Sequence, residues 1–256
     1  MPEEKKVKIS KPKLTSAYDL LEGAVKTWWK NLRKFTSVLL WGFLFTLIPA
    51  VVGSVLLGID LVIVRKLDSM IGLQVSFLIL SVILLFACFL AFIYFAIRAY
   101  MGAFLLVKKN YTGDELKIFK ETKNYFWSYF WLSILTTIFI LLWALLLIIP
   151  GIIFSIFYSF AVYAFFFEGL TGMKAIRRSV NLVKNYWWAV FGRFIVIGVA
   201  LYIFIMIISI PLYFVDEKSS FALIWGAIVQ IINFLIGPIS LLYFYQIYKD
   251  LVVIKK

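Results

Sequence analysis

The sequence contains no histidine, which removes the commonest general base and metal ligand from the available chemistry. A single cysteine, Cys88, excludes an intrachain disulfide; set in an apolar run, it reads as a small buried hydrophobe. Charge is scarce: 15% of the 256 residues are charged, against roughly a quarter in soluble proteins. Acids are scarcer still, with 13 Asp and Glu facing 26 Lys and Arg for a net charge of +13. No phosphate-binding glycine loop, paired-carboxylate site or metal-ligand cluster is visible. Enzymatic hydrolysis therefore has no recognisable machinery here, and no cofactor is implied.

Apolar surface is what the chain has in abundance. It is 64% hydrophobic and 19% aromatic, too apolar for a soluble core, so it is expected to be an integral membrane protein. The basic residues sit between apolar runs and form no continuous soluble face. That favours anionic lipid headgroups as partner over nucleic acid. Residues 1–13, rich in lysine and holding two prolines, are expected to form a disordered basic tail without the apolar core of a signal peptide.

The crossings follow from length, since some 20 residues span the roughly 30 Å of hydrocarbon. Apolar runs at about 35–59, 75–100, 191–215 and 220–245 each suffice, separated by loops at 60–74 and 216–218. From Asn124 to Phe167 no residue is charged, and a run this long must turn back. Pro150-Gly151 is the expected corner, because proline removes a backbone donor and glycine tolerates unusual dihedrals. Pro49 and Pro211 fall in the outer halves of crossings one and five, and Gly237-Pro238 is expected to kink crossing six.

Three amphipathic helices precede the crossings. The first covers 16–34, with Ser16 as its cap. The second opens at Thr112-Gly113-Asp114-Glu115, a Thr-x-x-Glu capping-box spacing, and runs to Lys123. The third carries an apolar stripe at Met173, Ile176, Val180, Val183 and Trp187, opposed by Lys174, Arg177, Arg178, Asn181, Lys184 and Asn185. A cationic face opposite an apolar one is the pattern of a helix lying in the membrane interface. Lys174, Arg177, Arg178 and Lys184 are candidate lipid-headgroup ligands, each contributing about 1 kcal/mol near an anionic surface. Alternatively they only hold the helix on one side. Trp28, Trp29, Trp127, Trp187 and Trp188 read as interfacial anchors.

Of the 26 lysines and arginines, only Arg65, Lys66 and Lys218 fall on the alternate side of this threading. Positively charged segments stay cytoplasmic, so both termini are expected inside a prokaryotic cytoplasmic membrane. Lys123–Phe130 and Lys184–Phe191 match at five of eight positions at an offset of 61 residues, and Ile149-Pro150 maps onto Ile210-Pro211 by the same offset. The expected fold class is thus all-α integral membrane. Residues 14–256 form one domain of six transmembrane helices, arranged as three parallel-repeat hairpins (about 14–110, 111–169 and 170–256), each preceded by an amphipathic interfacial helix.

Two further features bear on function. Glu168 is the only acid between Glu121 and Asp216, placed where crossing four ends. It reads as a structural ion pair, with Arg98, Lys109, Arg193 or Arg177 as possible partners, or as a solvated helix terminus. Gln230 and Asn233, three apart in crossing six, could line a solute path or bond across helices.

The run Pro150-Gly151, Glu168-Gly169-Leu170, Ala175, Arg177-Arg178-Ser179, Leu182, Lys184 and Trp188 resembles the prokaryotic glycerophosphoryl diester phosphodiesterase membrane domain family and related six-helix membrane proteins of unknown function. The resemblance implies a six-crossing layout. Its name derives from fusions to a soluble barrel in which histidines and metal-binding carboxylates hydrolyse the substrate. With no histidine to align, that activity does not carry over. The functional expectation is a non-enzymatic, phospholipid-interacting or membrane-organising protein, with a transporter or channel as the alternative.

Overall fold

The computed structural model describes residues 14–66, 71–216 and 219–255. The expected tail at 1–13, the tip of the first loop at 67–70 and Lys218 lie outside them. The described residues are almost entirely helical: α1 (Ala17–Lys30), α2 (Leu32–Lys66), α3 (Ile71–Lys108), α4 (Glu115–Leu146), α5 (Ile148–Tyr158), α6 (Ala161–Glu168), α7 (Gly172–Val183), α8 (Trp187–Ser209), a 3-10 turn at Ile210–Phe214, and α9 (Ser220–Ile254). Six segments are long and apolar enough to cross a membrane: Leu32–Ile59, Val75–Lys108, Glu115–Leu146, Ile148–Glu168, Trp187–Phe214 and Ser220–Ile254. Their large apolar side chains face outward, from Leu40 to Val62 on α2, Val75 to Phe92 on α3, and Ile195 to Ile207 on α8. Surface this apolar belongs against hydrocarbon.

Several boundaries differ from the sequence reading. Helix α1 stops at Lys30, with a turn at Asn31, instead of reaching residue 34. Its cap is as expected: Ser16 Oγ accepts from the Asp19 amide at 3.1 Å. The loop expected over 60–74 contracts, since α2 reaches Lys66 and α3 begins at Ile71. The second surface helix is not separate, because α4 runs unbroken through Lys123. Nor does Thr112 cap it. Its hydroxyl donates back to Lys109 O, and Asp114 Oδ1 accepts the Leu116 amide at 2.9 Å.

Residues Asn31–Ser128 form one compact unit. Helices α2 and α3 touch through small residues: a Cβ built on Gly42 would lie 2.1 Å from Ala99 Cβ, and one on Gly102 2.7 Å from Val38 Cγ1. Such contacts let backbones approach closely where hydrocarbon offers no hydrophobic drive to associate. Arg98 is buried beside them. Its Nε donates to Thr122 Oγ1 at 2.8 Å and its Nη2 to Phe119 O at 2.9 Å, with the guanidinium over the Phe119 ring at 4.6 Å. Lys109, expected among the partners of Glu168, pairs with Glu121.

Helix α1 and residues 129–255 form the other unit. Here α4 turns back at Leu147, which is extended at φ −160°, ψ 140°, three residues before the expected proline. Pro150 sits in the first turn of α5, where its missing N–H leaves no helical bond unmade. Gly151 is helical, and its role is close approach, not an unusual dihedral: an added Cβ would meet Ala144 Cα and Cβ at 2.8 Å. The rings then pair in register, Trp143 stacked on Phe154 at 4.0 Å and Phe139 beside Tyr158 at 6.1 Å. Helices α8 and α9 pack through Phe194 and Phe244, 4.4 Å apart, and Trp225 Nε1 donates to Ile208 O at 2.9 Å. Pro49 and Pro238 lie inside continuous helices, and Pro211 opens the 3-10 turn.

Candidate functional site

The described residues concentrate polar contacts around α7. The fourth apolar run is broken at Ser159-Phe160, which separates α5 from α6 and exposes backbone groups that need partners. Ser179 of α7 supplies them. Its hydroxyl donates to Phe157 O at 2.6 Å and accepts the Phe160 amide at 3.0 Å, and the side chain is fully buried. One hydroxyl, a donor and an acceptor at once, bridges both sides of the break.

This contact sets the face that α7 turns inward. The buried residues are Ala175, Ile176, Ser179, Leu182 and Val183. The expected stripe through Met173 and Val180 is therefore rotated: Met173 is exposed and Val180 half-buried. Small Ala175 and Ser179 admit the neighbouring helix, so the apolar side of α7 packs on protein. After Lys184 the chain reaches α5 again: Trp187 Nε1 donates to Ile153 O at 3.1 Å, and Phe194 lies edge-on to Phe160 at 6.3 Å.

The four candidate cations divide. Arg178 is held by Glu168, its Nε 3.0 and 2.9 Å from the two carboxylate oxygens, and Tyr248 donates to the same carboxylate at 2.6 Å. Glu168 thus pairs with Arg178 and with none of the four partners expected from the sequence. Arg193, one of those four, instead donates to Leu14 O and Thr15 O. Gly169, at φ +72°, closes α6 in the left-handed region that favours glycine and starts the return toward α7. The side chains of Lys174, Arg177 and Lys184 are exposed and bond to no described residue. Arg177 and Asn181, one turn apart, edge a groove of about 340 Å³ walled by Phe139, Tyr158, Met173, Ile176 and Val180.

The tryptophans divide as well. Trp29, Trp127 and Trp188 are exposed, but Trp188 lines one cleft with Ile149 and Ile152 beside the α4–α5 corner, where the expected threading has the opposite membrane face. Trp28 and Trp187 are half-buried, and the Trp28 indole donates to Leu235 O at 2.9 Å, three residues before Pro238. The end of α9 ties this unit together: Asp250 accepts the Thr15 amide at 3.0 Å and Lys255 donates to Lys184 O at 2.9 Å. Ser179 and Tyr248 were missed as site residues. In the sequence Ser179 stands out only within the run Arg177-Arg178-Ser179 that carries the family resemblance. In α9, Gln230 is exposed and Asn233 half-buried, and neither bonds to a described residue.

Six long apolar helices, with cations gathered on a short helix beside them, define a multi-pass helical membrane protein. Residues 126–251 match the family model for a domain of unknown function (DUF7847), a stretch that includes α5 to α8 whole and most of α9. The match names no phosphodiesterase. No curated protein and no solved structure matches the chain.

Proposed function

We propose that this is a non-enzymatic protein of the prokaryotic cytoplasmic membrane, threaded as three hairpins with both termini inside, that binds anionic phospholipid of the inner leaflet through α7. The observation that carries this reading is the division of α7's cations. One is neutralised by Glu168, while Lys174, Arg177 and Lys184 are exposed, with no partner among the described residues, beside helices whose surfaces are apolar. Exposed cations next to hydrocarbon-facing surface meet headgroup phosphates, each favoured by about 1 kcal/mol.

The test is mass spectrometry of lipids retained by protein purified in mild detergent. Anionic phospholipid should be enriched over its share in the membrane, and the K174Q/R177Q/K184Q variant should lose that enrichment. The double variant E168Q/R178Q, which removes the ion pair without changing net charge, should leave it unchanged. Undiminished enrichment in the triple variant would overturn the proposal. The transporter reading rests on Gln230 and Asn233; with Gln230 exposed on the helix surface, it has less support.

A further inference from the structure

We infer that the groove between α4, α5 and α7 is a binding site for a single anionic phospholipid, with the phosphate on Arg177 and an acyl chain against Phe139, Tyr158 and Met173. The inference rests on the lipid-binding reading above and narrows it from a basic face to one cleft. Its volume of about 340 Å³ falls within the usual range of ligand sites. The polar groups are few and lie on one edge. Arg177 and Asn181 are four residues apart, so they share one face of α7, with a guanidinium as cation and two-donor fork and an amide beside it. The remaining wall is aromatic and aliphatic.

Two observations together point to an anion that carries hydrocarbon. The guanidinium has no partner among the described residues, so within them the positive charge at the groove edge is uncompensated. Along α4, the helix that carries Phe139, Ile138, Leu141, Leu142 and Leu145 continue as an exposed stripe, up to 89% exposed at Leu145. A cation and an amide on one edge of an aromatic and aliphatic groove match a molecule with a phosphate at one end and hydrocarbon at the other. Inorganic phosphate would leave the apolar wall without an occupant.

The site is tested with the full chain in phosphatidylcholine vesicles containing a minor fraction of phosphatidylglycerol that carries a photoactivatable diazirine on its acyl chain. Adducts are mapped by peptide mass spectrometry. They should fall on Phe139, Tyr158, Met173 or Val180, and the same diazirine carried on phosphatidylcholine should label these residues far less. Arg177→Gln should lower adduct yield about tenfold, the change expected for losing one charge-assisted contact. Met173→Trp keeps every charge but fills the groove, and should displace the adducts. Adducts scattered over other exposed faces, or yields indifferent to both variants, would overturn the site. If K174Q/K184Q releases retained anionic lipid while Arg177→Gln does not, the groove is wrong and the basic-face reading stands. If the native protein retains no anionic lipid, both fail.

Discussion

Ser179 occupies the position in α7 where a larger apolar residue would have been the ordinary choice, and its hydroxyl bridges the broken backbone at Phe157 and Phe160. Removing it leaves a buried amide without a partner, which costs about 1–3 kcal/mol. Ser179→Ala should therefore lower the thermal midpoint in detergent. Ser240→Ala, at a surface hydroxyl bonded only to Gly237 O within its own helix, should change stability by at most about 0.5 kcal/mol. Equal behaviour of the two variants would deny Ser179 this role. The residue scale is also where sequence reading stopped short. The isolation of Glu168 leaves an ion pair and a solvated helix terminus both open, and Arg177 and Arg178 are adjacent and equivalent in composition. Only the rotation of α7, fixed by Ser179 and Ala175, sends Arg178 to Glu168 and Arg177 to the groove.

At the scale of the helices, length and apolarity were sufficient to locate six spans, because any crossing must bond its backbone internally over the same thickness. Their joints were less legible. Between Lys123 and Phe126 no residue resists helix, so a surface helix and a crossing merge into α4, and a change of charge pattern does not mark a break. The corner at Leu147 precedes Pro150 because a first-turn proline opens a helix as readily as it ends one. Gly151 carries the corresponding prediction. Gly151→Ala places a Cβ against the Ala144 backbone and should destabilise by about 1–3 kcal/mol through overpacking. Gly198→Ala, with open space around it, should be neutral or stabilising by up to about 1 kcal/mol, as expected of alanine in a helix interior. The comparison is read from thermal melts of the two variants in one detergent, and a Gly151 variant as stable as the Gly198 variant would remove the close contact from the account.

The whole molecule is governed by one asymmetry. With 26 basic residues against 13 acidic ones, nearly all the positive charge gathers on the segments assigned to one side of six apolar runs. The lipid proposals depend on this threading, since α7 meets the anionic inner leaflet only if it stays cytoplasmic. The most direct measurement is labelling of single cysteines by a membrane-impermeant maleimide in intact cells, in a Cys88→Ser background. Ser219→Cys, at the α8–α9 connection, should label from outside, whereas Lys174→Cys should label only after the membrane is permeabilised. Labelling of Lys174→Cys in intact cells, or protection of Ser219→Cys there, would contradict the account.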